Sequence, residues 1–163
     1  MAVRVLVLSL LVFAGAFGTH EVMHLLVINS LGGQGSIIVR PWRLGLVDLT
    51  IYGLHAQPAH ALDMTSQTIG NFLGPILAAV PLIGLLWFVR EPVPVAALIA
   101  NIVILVFYAV IEAGDVILES AYHTDWSFLT WPEFNYGVPA LIIAITVLTV
   151  RLLSAVQGRK IPE

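Results

Sequence analysis

The pentapeptide HEVMH, from His20 to His24, carries the side chains of this chain that are best suited to metal chemistry. On an α-helix the i and i+4 positions share one face, so both imidazoles can take adjacent vertices of a tetrahedral zinc site. Glu21 then stands beside water activated by that ion, where its carboxylate can accept the water proton and pass it to a leaving amine. The spacing therefore predicts zinc-dependent hydrolysis of a peptide bond, with Glu21 as the catalytic base.

A packed histidine pair, hydrogen-bonded between helices, is the alternative interpretation of the same motif. A chance HExxH match is expected in roughly one of 200 chains of this composition. The surroundings favour a metal site, because three ionisable groups within five residues interrupt an otherwise apolar stretch. Burying such groups in lipid costs several kcal/mol unless they are paired or coordinated. A packed histidine pair also leaves Glu21 without a partner.

A third protein ligand is needed to complete a catalytic zinc site, whose fourth position is left to water. Glu112, Asp115 and Glu119 follow one another at i, i+3 and i+7 in a later apolar stretch, so they project from one helical face. We predict Asp115 as the third ligand, with Glu112 as the alternate. Glu119 is expected at the water-exposed end of the helix.

Five other polar residues are weaker candidates for the site. Three histidines are expected in loops, where one of them could replace the carboxylate as third ligand: His55, His60 and His123. Asn71 and Asn101 are single amides in apolar stretches, where the usual role is a hydrogen bond between helices worth about 1 kcal/mol. These two amides are our candidates for substrate binding.

The composition predicts that the bilayer is the solvent of this chain. Of its 163 residues, 59% are hydrophobic and only 10% are charged, which departs far from a soluble globular protein. The absence of cysteine leaves histidine and carboxylate groups as the metal ligands. A net charge of −3 with seven basic residues offers no basic stripe for phosphate, so nucleic acid is not an expected partner. We expect a multi-pass integral protein of the cell membrane.

Four apolar stretches must position these side chains, and each is long enough to cross a hydrocarbon core, which needs about 20 helical residues. The predicted helices cover residues 3–31, 64–89, 93–119 and 136–157. Between the first two, the segments SIIVRPW and LVDLTIY are rich in β-branched and aromatic residues and predict a β-hairpin over residues 35–53. The expected fold is therefore one all-α polytopic membrane domain, residues 1–163, with four transmembrane helices and a small β-hairpin between the first and second.

Together these features resemble the site-2 protease family of intramembrane metalloproteases, particularly its small, minimal members. The likeness rests on HEVMH, on the following segment LGGQGSIIV with its hairpin, and on an acidic residue in a later span, and it covers roughly residues 15–120. It implies that His20 and His24 bind Zn²⁺, that Glu21 is the base and that Asp115 corresponds to the family's later aspartate. It also implies that the hairpin edge holds an unwound substrate as an added strand, since helical peptide bonds are shielded from attack.

The expected function is a zinc endopeptidase that hydrolyses peptide bonds of membrane-spanning or membrane-proximal proteins and peptides. A non-catalytic four-helix membrane protein that binds haem or metal through histidines is the alternative from another class. Haem with two axial histidines needs them on facing helices, whereas His20 and His24 share one helix. An inactive protease-like scaffold is the third interpretation.

Overall fold

A computed structural model gives the fold of the chain and describes residues 2–45, 48–123 and 131–158. The described part contains four α-helices and a two-stranded sheet. The helices are α1 (Ala2–Ser30), α2 (Met64–Leu86), α3 (Pro92–Tyr122) and α4 (Pro132–Gly158), and the strands are β1 (Ser36–Leu44) and β2 (Leu49–Gln57). All four helices are long and apolar enough to cross a membrane. This confirms the predicted order of elements, with a hairpin between the first and second helix.

The boundaries of all four helices and of the hairpin differ from those predicted, by one to four residues. Strand β2 continues to Gln57 instead of ending at residue 53, which places His55 on a strand rather than in a loop. Helix α3 runs on to Tyr122, and α4 begins at Pro132, because proline suits the first helical turn, where its missing N–H needs no partner. Helix α2 begins after Asp63, whose carboxylate accepts a hydrogen bond from the backbone N–H of Ser66 at 3.0 Å.

Small residues line the surfaces at which the helices meet. Helix α3 packs against both α1 and α2, and its buried face includes Ala97 and Ala109, each 0% exposed. Small side chains let helix backbones approach closely, which is how apolar helices associate where hydrophobic burial gives no advantage. This close packing holds α1 and α3 side by side along the bundle, so that polar groups of the two helices can meet.

The hairpin lies at the end of α1 that follows the HEVMH motif. Helix α1 ends before Gly32, whose φ of +83° belongs to the left-handed region that favours glycine. A Cβ added at Gly35 would lie 2.9 Å from Cγ2 of Ile28, so glycine lets β1 start directly against the helix. At the other end of the hairpin, the backbone N–H of Gly45 donates to Oε1 of Glu133 on α4 at 2.6 Å. The hairpin is therefore held over the bundle from both ends.

Candidate metal centre

Helix α1 presents both histidines of the motif on one buried face, as the i and i+4 spacing predicts. His20 and His24 are 2% and 7% exposed, and Glu21 between them is 6% exposed. The Nε2 atoms of the two imidazoles lie 2.6 Å apart. The pair is therefore oriented toward one point rather than toward separate neighbours.

Glu112 of α3 brings a third donor atom to this point. Its Oε2 lies 3.0 Å from Nε2 of His24 and 3.5 Å from Nε2 of His20. Among the described residues, His20, His24 and Glu112 form the group whose donor atoms could hold a metal ion together. Donors on one tetrahedral ion such as zinc, at about 2.0–2.2 Å from it, lie about 3.3 Å from one another. The observed separations bracket that value.

Of the two acidic candidates, the structure brings Glu112 rather than Asp115 to the two histidines. Glu112, predicted as the alternate, joins the histidines, whereas Asp115 lines the same cavity without belonging to the donor group. Asp115 lies three residues further along α3, about 60° short of a full turn and about 4.5 Å further along the axis. Its shorter side chain makes up for neither displacement. Among the described residues, none of the three other histidines belongs to the donor group.

The converging donor atoms require a positive charge among them. Nδ1 of His24 lies 3.0 Å from the backbone oxygen of Gly70, and since a carbonyl only accepts, Nδ1 carries the proton of this hydrogen bond. In the neutral ring, Nε2 then directs a lone pair at the Glu112 carboxylate. Lone pairs that meet in this way repel one another unless a proton or a metal ion lies among them. The donor set thus fits a metal ion, and the Gly70 carbonyl orients the imidazole that would bind it.

The side of the His20 ring that faces away from the donor group is held by packing. The ring stacks on Tyr108 with 5.4 Å between centroids and 18° between planes, and the Tyr108 hydroxyl donates to the backbone oxygen of Asn135 at 2.7 Å. The Nδ1 atom of His20 is buried and has no hydrogen-bond partner in the described part of the chain. The orientation of His20 therefore depends on α3 and α4 as well as on its own helix.

Gly74 of α2 makes room for the His24 imidazole. A Cβ at this position would lie 2.7 Å from Cγ and Cε1 of the ring, closer than packed side chains approach. We expect Gly74→Ala to displace the ring from the Gly70 carbonyl and to lower metal affinity about 10- to 100-fold, the usual cost of losing a contact that orients a ligand. Competition with a chromophoric chelator measures this affinity.

The matched control for Gly74→Ala is Gly84→Ala in the same helix, where an added Cβ meets no atom within 4 Å. Alanine is favoured over glycine in a helix by about 1 kcal/mol, so this variant should keep its fold and its metal affinity. Equal affinities of the two variants, with helical content unchanged, would contradict the role assigned to Gly74.

Glu21 is positioned by the hairpin as well as by its helix. Its Oε2 accepts a hydrogen bond from the backbone N–H of Ala56 on β2 at 2.7 Å. The longer strand β2 makes this contact, because the predicted hairpin would have ended before residue 56. The carboxylate predicted to be the base thus directly follows His20 in the chain and is tied to β2 by a hydrogen bond.

The two asparagines predicted to bind substrate lie in different environments. Asn71 lines the cavity and donates through Nδ2 to the backbone oxygen of Glu112 at 3.1 Å, so it ties α2 to the third donor residue. Asn101 is 0% exposed and donates to the backbone oxygens of Ser9 and Ala97. It does not belong to the cavity lining, and its position favours the structural role of an amide between helices.

A cavity of about 460 Å³ opens beside the donor group, within the size range of small-molecule and peptide sites. Its walls come from all four helices and from the hairpin, which contributes Arg40, Trp42 and His55. Burial lowers the pKa of His55 below its usual range, so this imidazole is neutral near pH 7. The arrangement joins a metal-binding group, a carboxylate and room for a ligand. Comparisons with models of known protein families, with curated proteins and with solved structures gave no match.

Proposed function

We propose that this chain is a multi-pass integral protein of the cell membrane and a zinc endopeptidase that cleaves membrane-spanning or membrane-proximal proteins and peptides. The observation that carries the proposal is the convergence of His20, His24 and Glu112 beside Glu21 at the wall of a cavity. Two histidines and one glutamate with a fourth position left open form a ligand set typical of catalytic zinc. Because the chain combines this hairpin with the HEVMH motif, we further infer that it is a small relative of the site-2 protease family.

The same donor types also bind ferrous iron in oxygenases, so the neighbouring residues decide between the two chemistries. A hydrolase needs a base within reach of the attacking water, whereas an oxygenase activates oxygen at the metal itself. Glu21 is buried, directly follows His20 in the chain and lines the same cavity as the donor group, which supports its role as that base. This carboxylate favours hydrolysis and therefore zinc.

Zinc bound at the donor group would supply a Lewis acid that polarises the scissile carbonyl and acidifies water. Glu21 accepts the water proton and later delivers it to the leaving nitrogen. Its Oε2 is engaged by the Ala56 N–H, while Oε1 makes no hydrogen bond to the residues that the structure describes. The base thus has one oxygen fixed by the protein and the other available for the proton.

The substrate segment would bind as an extended strand along the hairpin. A helical peptide bond is shielded by its own backbone hydrogen bonds, and addition to a strand edge exposes it while satisfying its polar groups. The hydrogen bond from the Ala56 N–H to Glu21 supports this arrangement, because a strand added to the hairpin near that contact would pass the donor group. Substrates whose spans unwind easily, through glycine or proline near the cleavage point, should be preferred.

A haem protein with two axial histidines is disfavoured by the site itself. Axial imidazoles approach iron from opposite faces of the porphyrin. The Nε2 atoms of His20 and His24 instead meet at 2.6 Å from one side of the same helix, which leaves no space for a macrocycle between them. An inactive scaffold differs from an enzyme only in its turnover, which the following experiment measures.

We expect purified protein in liposomes to be colourless, to contain about one zinc ion per chain and to cleave single-span reporter proteins that carry a Gly-Pro pair in the span. Stripping with 1,10-phenanthroline should abolish cleavage, and added zinc should restore it. A Soret band would support haem binding, and restoration by ferrous iron but not by zinc would support an oxygenase. A zinc-loaded protein that leaves every reporter intact would refute the peptidase.

A further inference from the structure

The hairpin presents one of its faces to the cavity. Side chains alternate between the two faces of a strand, so Arg40 and Trp42 of β1 lie on the same side. His55 of β2 shares that side because it pairs with Ile38 in the antiparallel register. Arg40, Trp42 and His55 all line the cavity that also contains Glu21. The wall opposite the helices is therefore polar and includes one imidazole.

The backbone of His55 lies close to the Glu21 carboxylate, because the next residue, Ala56, donates a hydrogen bond to it. The amide nitrogen of Ala56, which donates to Oε2 of Glu21 at 2.7 Å, is bonded directly to the carbonyl carbon of His55. Standard peptide dimensions then place the Cα of His55 within about 5 Å of that carboxylate oxygen. A side chain that starts there and points into the cavity is within reach of a peptide carbonyl placed beside the base.

The His55 imidazole has no structural hydrogen bond that would explain its presence. It is half-buried, and neither ring nitrogen makes a hydrogen bond to another residue in the ranges that the structure describes. Because burial lowers the pKa of His55, the ring is neutral near pH 7 and has one N–H donor and one acceptor. His60 and His123, by contrast, are exposed and do not line the cavity.

We propose that His55 is a further catalytic residue, which donates an N–H hydrogen bond to the scissile carbonyl oxygen as negative charge develops on it. The inference rests on the proposed peptidase function. The water oxygen bonds to the carbonyl carbon, and one water proton passes to Glu21. The π electron pair of the C=O bond moves to the carbonyl oxygen, which accepts the hydrogen bond from His55. The C=O bond then re-forms, the C–N bond breaks, and the proton on Glu21 passes to the leaving nitrogen. His55 ends the cycle unchanged.

Two pairs of variants with matched shapes separate the effect of losing the N–H donor from the effect of changing the side-chain volume. His55→Asn and His55→Leu are nearly isosteric, as are His55→Gln and His55→Met, and only the amides can donate. With single-span reporters in liposomes, we expect the apolar variants to lower kcat about 100- to 1,000-fold, the usual cost of losing one such donor. KM should stay within about threefold. At least one amide should exceed its apolar isostere by about tenfold or more.

Tyr136 of α4 is one of the competing donors, since it lines the same cavity. Tyr136→Phe should therefore cost less in kcat than His55→Leu, and His60→Leu should leave kcat unchanged. Apolar His55 variants with kcat within threefold of wild type, or amides no better than their isosteres, would overturn the proposal. Zinc content and circular dichroism establish that each variant is folded.

A second measurement covers apolar variants that do not fold. A phosphinic peptide has anionic oxygens that mimic the oxyanion. Its affinity should fall in parallel with kcat/KM across wild type and the amide variants, and constant affinity would overturn the role of His55.

Failure of the proposed peptidase function would give different results. If wild type cleaves no reporter, both proposals fall. If wild type cleaves, Glu21→Gln does not and the His55 variants do, only the role of His55 is lost.

Discussion

Glu21→Gln is expected to abolish reporter cleavage while the zinc content stays near one ion per chain. The substitution removes the group that accepts the water proton, and general-base catalysis contributes about 10²- to 10⁴-fold to the rate. Glutamine keeps a carbonyl oxygen that can accept the Ala56 N–H, so the 2.7 Å contact between α1 and β2 is preserved. Loss of turnover would then report the proton transfer rather than a displaced hairpin. Zinc is measured by atomic emission on the same liposomes.

Glu21→Ala is the matched comparison, because it removes both the base and the acceptor for the Ala56 N–H. A buried N–H without an acceptor costs about 1–3 kcal/mol, so this variant should be less stable than Glu21→Gln. The two variants should be equally inactive despite that difference in stability. Cleavage by Glu21→Gln at the rate of wild type would show that another group takes the proton, and the role assigned to Glu21 would be wrong.

The motif on α1 could be predicted from the sequence because its geometry is local. The spacing of His20 and His24 fixes their common face through helix geometry alone, whatever surrounds the helix. The four long apolar helices are likewise set by composition and length. These features need no knowledge of how one element packs on another.

The third donor depends on packing, which the sequence does not specify. Glu112 and Asp115 share a face of α3, and a sequence cannot tell which turn of that helix lies level with His24. The packing of α1 on α3 sets this level. The role of Gly74 was missed for the same reason, since a glycine in an apolar helix gives no sign of the imidazole that fills its place.

The position of His55 was missed because the end of a strand is weakly marked in the sequence. The tetrapeptide that ends β2, Leu54 to Gln57, contains no β-branched residue, so local propensity gave no reason to extend the hairpin. Pairing with β1 and the hydrogen bond from Ala56 to Glu21 hold these residues extended. Tertiary contacts thus decide which histidine reaches the cavity.

Zinc loss in Glu112→Ala but not in Asp115→Ala is the second large effect expected. Removal of the Glu112 carboxylate takes away a donor that lies 3.0 Å from Nε2 of His24. The affinity for zinc should fall by more than about 100-fold, because mutating residues that only orient the ligands already costs up to that factor. Asp115→Ala should retain affinity within about threefold. Competition with a chromophoric chelator, repeated with Glu112→Gln to preserve the shape of the side chain, measures both.

The opposite result would have a definite structural meaning. Zinc loss in Asp115→Ala alone would assign the later aspartate as ligand, in line with the site-2 protease resemblance. Helix α3 would then have to turn by about 60° and slide by about 4.5 Å against α1 to bring that residue level with the histidines. Such a movement would break the hydrogen bond from the Asn71 side chain to the backbone oxygen of Glu112 and separate the Tyr108 ring from the His20 ring. Asn71→Leu would then raise zinc affinity, whereas with Glu112 as ligand it should lower it.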